Sequence, residues 1–95
     1  MNDLKINFGI TARINEALQD NENMKAAIDE AINRFAALDF GMIEQEDVDA
    51  NLQDLHDRDG RLLGRYKTPD GEIYINMDFD DHDSGTAIIM FCNEY

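Results

Sequence analysis

The residues of this chain with the most chemistry to offer are carboxylates set in rows. Asp78, Asp80, Asp81 and Asp83, with His82 among them, put acids at alternate positions, as a loop sharing a hard cation such as Ca²⁺ would. Counted from Asp78, however, the calcium-loop register fails. The fifth position is His82, the sixth is Asp83 where glycine should make the sharp turn, and the twelfth is Ile89 where glutamate should close the site. Zinc needs ligands in paired spacing, and His56, His82 and Cys92 stand singly. No metal or cofactor is therefore expected, and residues 78–83 read as a solvated hairpin tip.

Nucleophilic chemistry has less to work with. Ser84 is the only serine and adjoins Gly85 in a turn, where serine is expected anyway. Cys92 sits in an apolar strand, a setting in which a small thiol is usually buried and inert. His56 sits near a predicted helix end with no nucleophile beside it in sequence, and no glycine pattern cradles a phosphate. The chain is expected not to be an enzyme.

What remains is charge. The 95 residues carry a formal charge of −13, and eleven of those excess charges fall in two short blocks, 44–59 and 78–95. Such crowding opposes a compact fold, so it calls for an offsetting reason: solubility, or a cationic partner. The bases are grouped as well, with Arg61, Arg65 and Lys67 on one face of a predicted strand. A pI near 4.2 sets the chain against direct binding to nucleic acid or to an anionic membrane. The natural complement of two acidic rows is a basic protein surface, such as a nucleic-acid-binding groove, whose Arg and Lys would grip carboxylates as they grip phosphates. The candidate partner-binding residues are Glu44, Glu46, Asp47, Asp49, Asp54 and Asp57 in one row and Asp78, Asp80, Asp81 and Asp83 in the other. Glu46, Asp47 and Asp49 lie near the helix start, where the macrodipole favours them by about 0.3–1 kcal/mol each. Asp54, Asp57 and the 78–83 cluster have no such local explanation, so the functional reading leans on them.

The elements that must position these rows are legible. Leu4, Ile6 and Phe8 alternate with polar residues as a short strand ended by Gly9. Thr11 is a plausible N-cap for a helix to about Gln19, with Ile10, Ile14, Ala17 and Leu18 as its apolar stripe. A second helix, 24–38, buries Met24, Ala27, Ile28, Ala31, Ile32 and Phe35 and stops at Gly41. A third docks through a narrow stripe of Val48, Leu52 and Leu55. From Gly60 the period changes to two: Leu62, Gly64 and Tyr66 form one face, Thr68-Pro69-Asp70-Gly71 a turn, and Ile73, Ile75 and Met77 the next strand. The nearly all-apolar segment 86–92 is the best-covered strand. The expected fold is α+β, one domain over 1–95, with two or three N-terminal helices on one face of a three- to four-stranded, mainly antiparallel sheet ending in a β-meander.

Apolar content of 43% suits a folded chain. The apolar run at 87–92 is far below the roughly 20 residues of a membrane span. Met1-Asn2-Asp3 lacks the start of a signal peptide. One cysteine suits a reducing compartment, so a cytoplasmic location is expected.

Several of these segments also carry a resemblance: Gly9-Ile10-Thr11-Ala12, Arg34-Phe35, Asp39-Phe40-Gly41, Glu46-Asp47 with Asn51, Arg61-Leu62-Leu63, Ile73-Tyr74-Ile75, the strand 86–91 and the terminal Glu94-Tyr95. Together they resemble a group of short proteins from Gram-positive gut bacteria and their mobile elements. Proteins of that size, acidity and setting include inhibitors of bacterial defence, anti-CRISPR proteins in particular, several of which mimic nucleic acid. The resemblance implies a non-enzymatic inhibitor of a CRISPR effector or another DNA-processing protein. It transfers no functional residue, and the 78–83 loop is longer and more charged than the group would suggest. The alternative is an accessory module of a mobile element that binds a protein, or a second copy of itself, through Leu63, Tyr74, Ile89 and Phe91 on the sheet face away from the helices.

Overall fold

The computed structural model describes residues 3–95; Met1 and Asn2, on which the expected lack of a signal peptide rests in part, lie outside the described residues. Strand β1 (Lys5–Ile10) is followed by α1 (Ala12–Leu18), α2 (Glu22–Ala36) and α3 (Gln45–Asp57), then by β2 (Arg61–Thr68), β3 (Gly71–Phe79) and β4 (Ser84–Phe91), with a 3₁₀ turn at Cys92–Glu94. The sheet order is β1-β4-β3-β2. The last three strands form the antiparallel meander, while β1 pairs parallel to β4, so the sheet is mixed and the fold is α+β.

Local chemistry accounts for the helices. Thr11 caps α1 by accepting from the Ile14 N–H at 3.3 Å, and Asn21 caps α2 by accepting from Met24 N–H at 3.0 Å. The apolar face of α2 is the one its spacing predicts, with Met24, Ile28, Ala31 and Phe35 buried. Its end differs from expectation. The helix stops at Ala36 and Leu38 takes the left-handed conformation, at φ 65°. Gly41 instead forms a bridge to Arg65 of β2, at φ 74° and so close that a Cβ would collide with the Arg65 carbonyl oxygen. The expected stripe on α3 is also shifted. Val48 and Leu55 are half-buried, but the buried residue between them is Asn51, and Leu52 is 44% exposed.

One hydrophobic cluster joins the helices to one face of the sheet: Leu62 and Tyr66 of β2, Ile73, Ile75 and Met77 of β3, and Ala87, Ile89 and Phe91 of β4. The strand register corrects the alternative contact surface. Ile89 pairs with Ile75 and Phe91 with Ile73, so both point into the core and are buried. Leu63 and Tyr74 do lie on the other face, where their neighbours from β4 are Ile88 and Met90. A six-residue apolar run shows no alternation from which its two faces could be told apart. Among the described residues, no helix is long and apolar enough to cross a membrane.

Candidate functional site

The two acidic rows meet at a corner built by Arg58. This residue ends α3 in the left-handed conformation (φ 55°), turning the chain toward β2. Its guanidinium donates to the His82 carbonyl at 3.3 Å and to both Asp3 carboxylate oxygens at 2.9 Å. The Phe79 N–H also donates to the Gly60 carbonyl, at 3.3 Å. The end of the α3 row is thus fastened to the β3–β4 loop that carries the other row.

The ten predicted residues divide once their partners are considered. Glu44 precedes α3 without capping it through its side chain, and Glu46 and Asp47 occupy the first turn. Asp49 accepts from Gln45 at 3.0 Å and Asp57 from Gln53 at 3.0 Å, neutral i, i+4 contacts that leave both carboxylates charged and exposed. Asp54 is different, and the expectation that it lacks a structural reason is corrected. Its Oδ2 accepts from the Arg61 N–H at 3.1 Å, and it packs so tightly on Gly60 (φ 92°) that a Cβ there would fall 2.6 Å from the same oxygen.

The loop acids are similarly engaged. Asp78 pairs with Arg61 at 3.0 Å, directly across the β2–β3 register. Asp80 accepts from the Thr86 hydroxyl at 2.7 Å. Asp81 Oδ1 accepts from the Asp83 N–H at 2.8 Å and the Ser84 hydroxyl at 3.0 Å, the first of which holds its carboxyl below the usual carboxylate range. The 78–83 cluster therefore has the local rationale that its sequence did not reveal: it ties its own hairpin. Asp78 is the only one of the ten in an ion pair among the described residues.

The grouped bases are largely spoken for. Arg61 pairs with Asp78, and Arg65 Nε donates to Glu72 at 2.7 Å while its cation lies over the Tyr74 ring. The corner of α3 and the β3–β4 loop consequently keeps a surplus of negative charge: among the described residues Glu44, Glu46, Asp47, Asp49, Asp57 and Asp83 have no ion pair, and Asp54, Asp80 and Asp81 bond only to neutral donors.

The chain matches no protein-family model, curated protein or solved structure.

Among the described residues, no group of three or more His, Cys, Asp or Glu side chains is arranged to hold a metal ion. A cleft of about 250 Å³ at the other end of the sheet is lined by Arg13, Arg65, Glu72, Phe91 and Cys92 among others. Burial pushes the Cys92 thiol up, the opposite of what activates a nucleophile.

Asn51 is a residue whose role sequence reasoning missed. Buried to 4% exposure, it donates through Nδ2 to the Leu63 carbonyl at 2.8 Å and accepts through Oδ1 from the Leu63 N–H at 3.1 Å. Its amide stands where a fifth strand would pair. The available signal was a polar residue at the i+3 position between Val48 and Leu55.

Proposed function

We propose that the protein is a non-enzymatic inhibitor that lays the exposed face of α3 and the adjoining β3–β4 loop into a basic groove that otherwise holds nucleic acid. The resemblance suggests a groove on a CRISPR effector or another DNA-processing protein, in the cytoplasm. The observation that carries the proposal is the Arg58 junction: the residue that ends α3 also donates to the His82 carbonyl of the β3–β4 loop, which ties the two acidic segments at one point. Along α3 the carboxylates of Glu46, Asp49 and Asp57 recur every three to eight residues, or about 4.5–12 Å at 1.5 Å rise per residue. A rigid helix therefore holds them in a row against which Arg and Lys side chains can form charge-assisted bonds. Asp54, Asp78, Asp80 and Asp81 act on this reading as the frame that holds the loop and helix in place.

The test is displacement of labelled duplex DNA from an effector ribonucleoprotein, at low and high salt. The fourfold variant Glu46→Gln, Asp47→Asn, Asp49→Asn, Asp57→Asn keeps the fold's internal partners and should compete at least about tenfold less well, with a shallower salt dependence. Equal competition by parent and variant would end the mimicry reading.

A further inference from the structure

The sheet has one edge open to a partner. In β1, the Lys5 N–H donates to the Asp83 carbonyl and the Thr11 N–H to the Ile89 carbonyl, both on β4. Residues alternate along a strand, so Lys5, Asn7, Gly9 and Thr11 turn their backbone groups toward β4. Ile6, Phe8 and Ile10 turn theirs to the free edge. No described residue accepts from or donates to those outward groups. Two of the side chains are also uncovered, Phe8 at 37% and Ile10 at 41% exposure, although β1 is otherwise part of an ordered sheet. An edge of this kind is normally shortened, charged or covered; β1 carries a charge only at its first residue, Lys5, and no described residue covers Ile6, Phe8 and Ile10.

We propose that β1 pairs antiparallel with β1 of a second copy of this chain, joining two four-stranded sheets into one of eight strands. Two features of the strand select a second copy over a foreign strand. The first is self-complementarity. Ile6, Phe8 and Ile10 are symmetric about Phe8, so a two-fold axis there sets Phe8 against Phe8 and Ile6 against Ile10. Those are the residues with outward N–H and C=O groups, so each facing pair exchanges both hydrogen bonds while its apolar side chains meet on one face.

The second is charge. Two chains of −13 repel wherever carboxylates face each other, yet residues 4–15 contain none, only Lys5 and Arg13. On the opposite sheet face the same axis pairs Asn7 with Gly9, both neutral. This edge therefore sets no carboxylate of its own strand against the same strand of a second copy. The acidic corner on α3 lies beyond β2, at the far side of the sheet, and is left free in the dimer.

Salt separates this contact from the acidic surface. Screening relieves the repulsion between two acidic chains, so self-association strengthens with ionic strength, whereas binding to a basic groove weakens. Sedimentation equilibrium of the full chain from about 10 to 500 µM, in about 0.05 and 0.5 M NaCl, reads it directly. The expected result is a two-chain mass at the upper concentrations, with a dissociation constant several-fold lower at high salt. Phe8→Glu puts two carboxylates at the axis and should return the one-chain mass. Leu52→Glu adds the same charge on exposed α3 and should leave the dimer intact, with circular dichroism showing both variants folded. A one-chain mass throughout, a dimer that survives Phe8→Glu, or loss of the dimer in both variants overturns the proposal.

Discussion

The two edges of the sheet are treated in opposite ways. At β2 the outward backbone groups of Arg61, Leu63 and Arg65 are met from outside. Arg61 donates to Asp54, Leu63 exchanges two bonds with the Asn51 amide, and the Arg65 N–H and carbonyl are taken by the Phe40 carbonyl and the Met42 N–H. A helix and a loop thus stand in for a strand. At β1 the corresponding groups of Ile6, Phe8 and Ile10 have no described partner, and two of those side chains are exposed. The difference teaches that the chain can close an edge with side chains and does so on the side that carries the acidic helix. Covering β2 is what fixes α3 in place, so the same contacts that blunt one edge also aim the carboxylate row.

Breaking the covered edge should have the largest effect where the backbone itself approaches. Gly41→Ala adds a Cβ against the Arg65 carbonyl oxygen and the Tyr66 ring at a φ that L-residues rarely adopt. A loss of about 2–4 kcal/mol by urea unfolding is expected from strain plus displaced packing. Asn51→Leu comes next. It keeps the branched shape and heavy-atom count of the side chain but leaves the Leu63 N–H and C=O without partners, at about 1–3 kcal/mol. Because it also uncovers a flat edge, this variant should elute as higher oligomers during gel filtration, which Gly41→Ala need not do. If Asn51→Leu is as stable and as monodisperse as the parent, the two edges do not differ in the way described.

How much of this was legible depends on which rule governs each element. The α2 face and the two hairpin strands follow periods of 3.6 and 2, so Met24, Ile28, Phe35, Leu62, Tyr66 and Ile75 could be placed in the core from spacing alone. The pairing of β1 with β4 could not, because a six-residue strand carries no label for its neighbour. The sequence pattern puts Ile89 and Phe91 on the wrong face because 86–92 has no polar residue to mark the solvent side after Thr86. The acidic residues were legible as rows, but not in their roles. Asp54, Asp80 and Asp81 bond to groups seven, six and two or three residues away, and only the folded turn brings those together.

That division of roles sharpens into a smaller prediction at the covered edge. Asp54→Asn keeps an oxygen to accept from the Arg61 N–H but removes the charge, whereas Asp54→Ala removes both. The alanine variant should lose about 1 kcal/mol and the asparagine variant clearly less. If instead both lose nothing while binding to a basic partner falls, Asp54 belongs with the exposed acids of α3 and not with the frame.

The smallest effect concerns pH, at the loop that covers Arg65. Asp39 pairs with Arg34 at 2.8 Å and accepts from the Gly41 N–H at 3.1 Å, and its backbone carbonyl takes the Tyr66 hydroxyl at 2.8 Å. The Arg34 guanidinium first, then the Gly41 N–H, hold its carboxyl below the ordinary carboxylate value. A lowered folded value means that stability is fully present above the unfolded carboxylate value, near 4, and drains as pH falls through the lower folded one. The pair is about half exposed, so its worth is discounted to less than about 1 kcal/mol. Asp39→Asn retains an acceptor for Gly41 and loses the charge, so parent and variant should differ at pH 7 and converge once the pH has fallen below the lowered folded value. Protonation also relieves the repulsion of a −13 chain, but it does so almost equally in both proteins. The difference between their unfolding curves, measured across that range, therefore isolates what this ion pair adds to the closed edge.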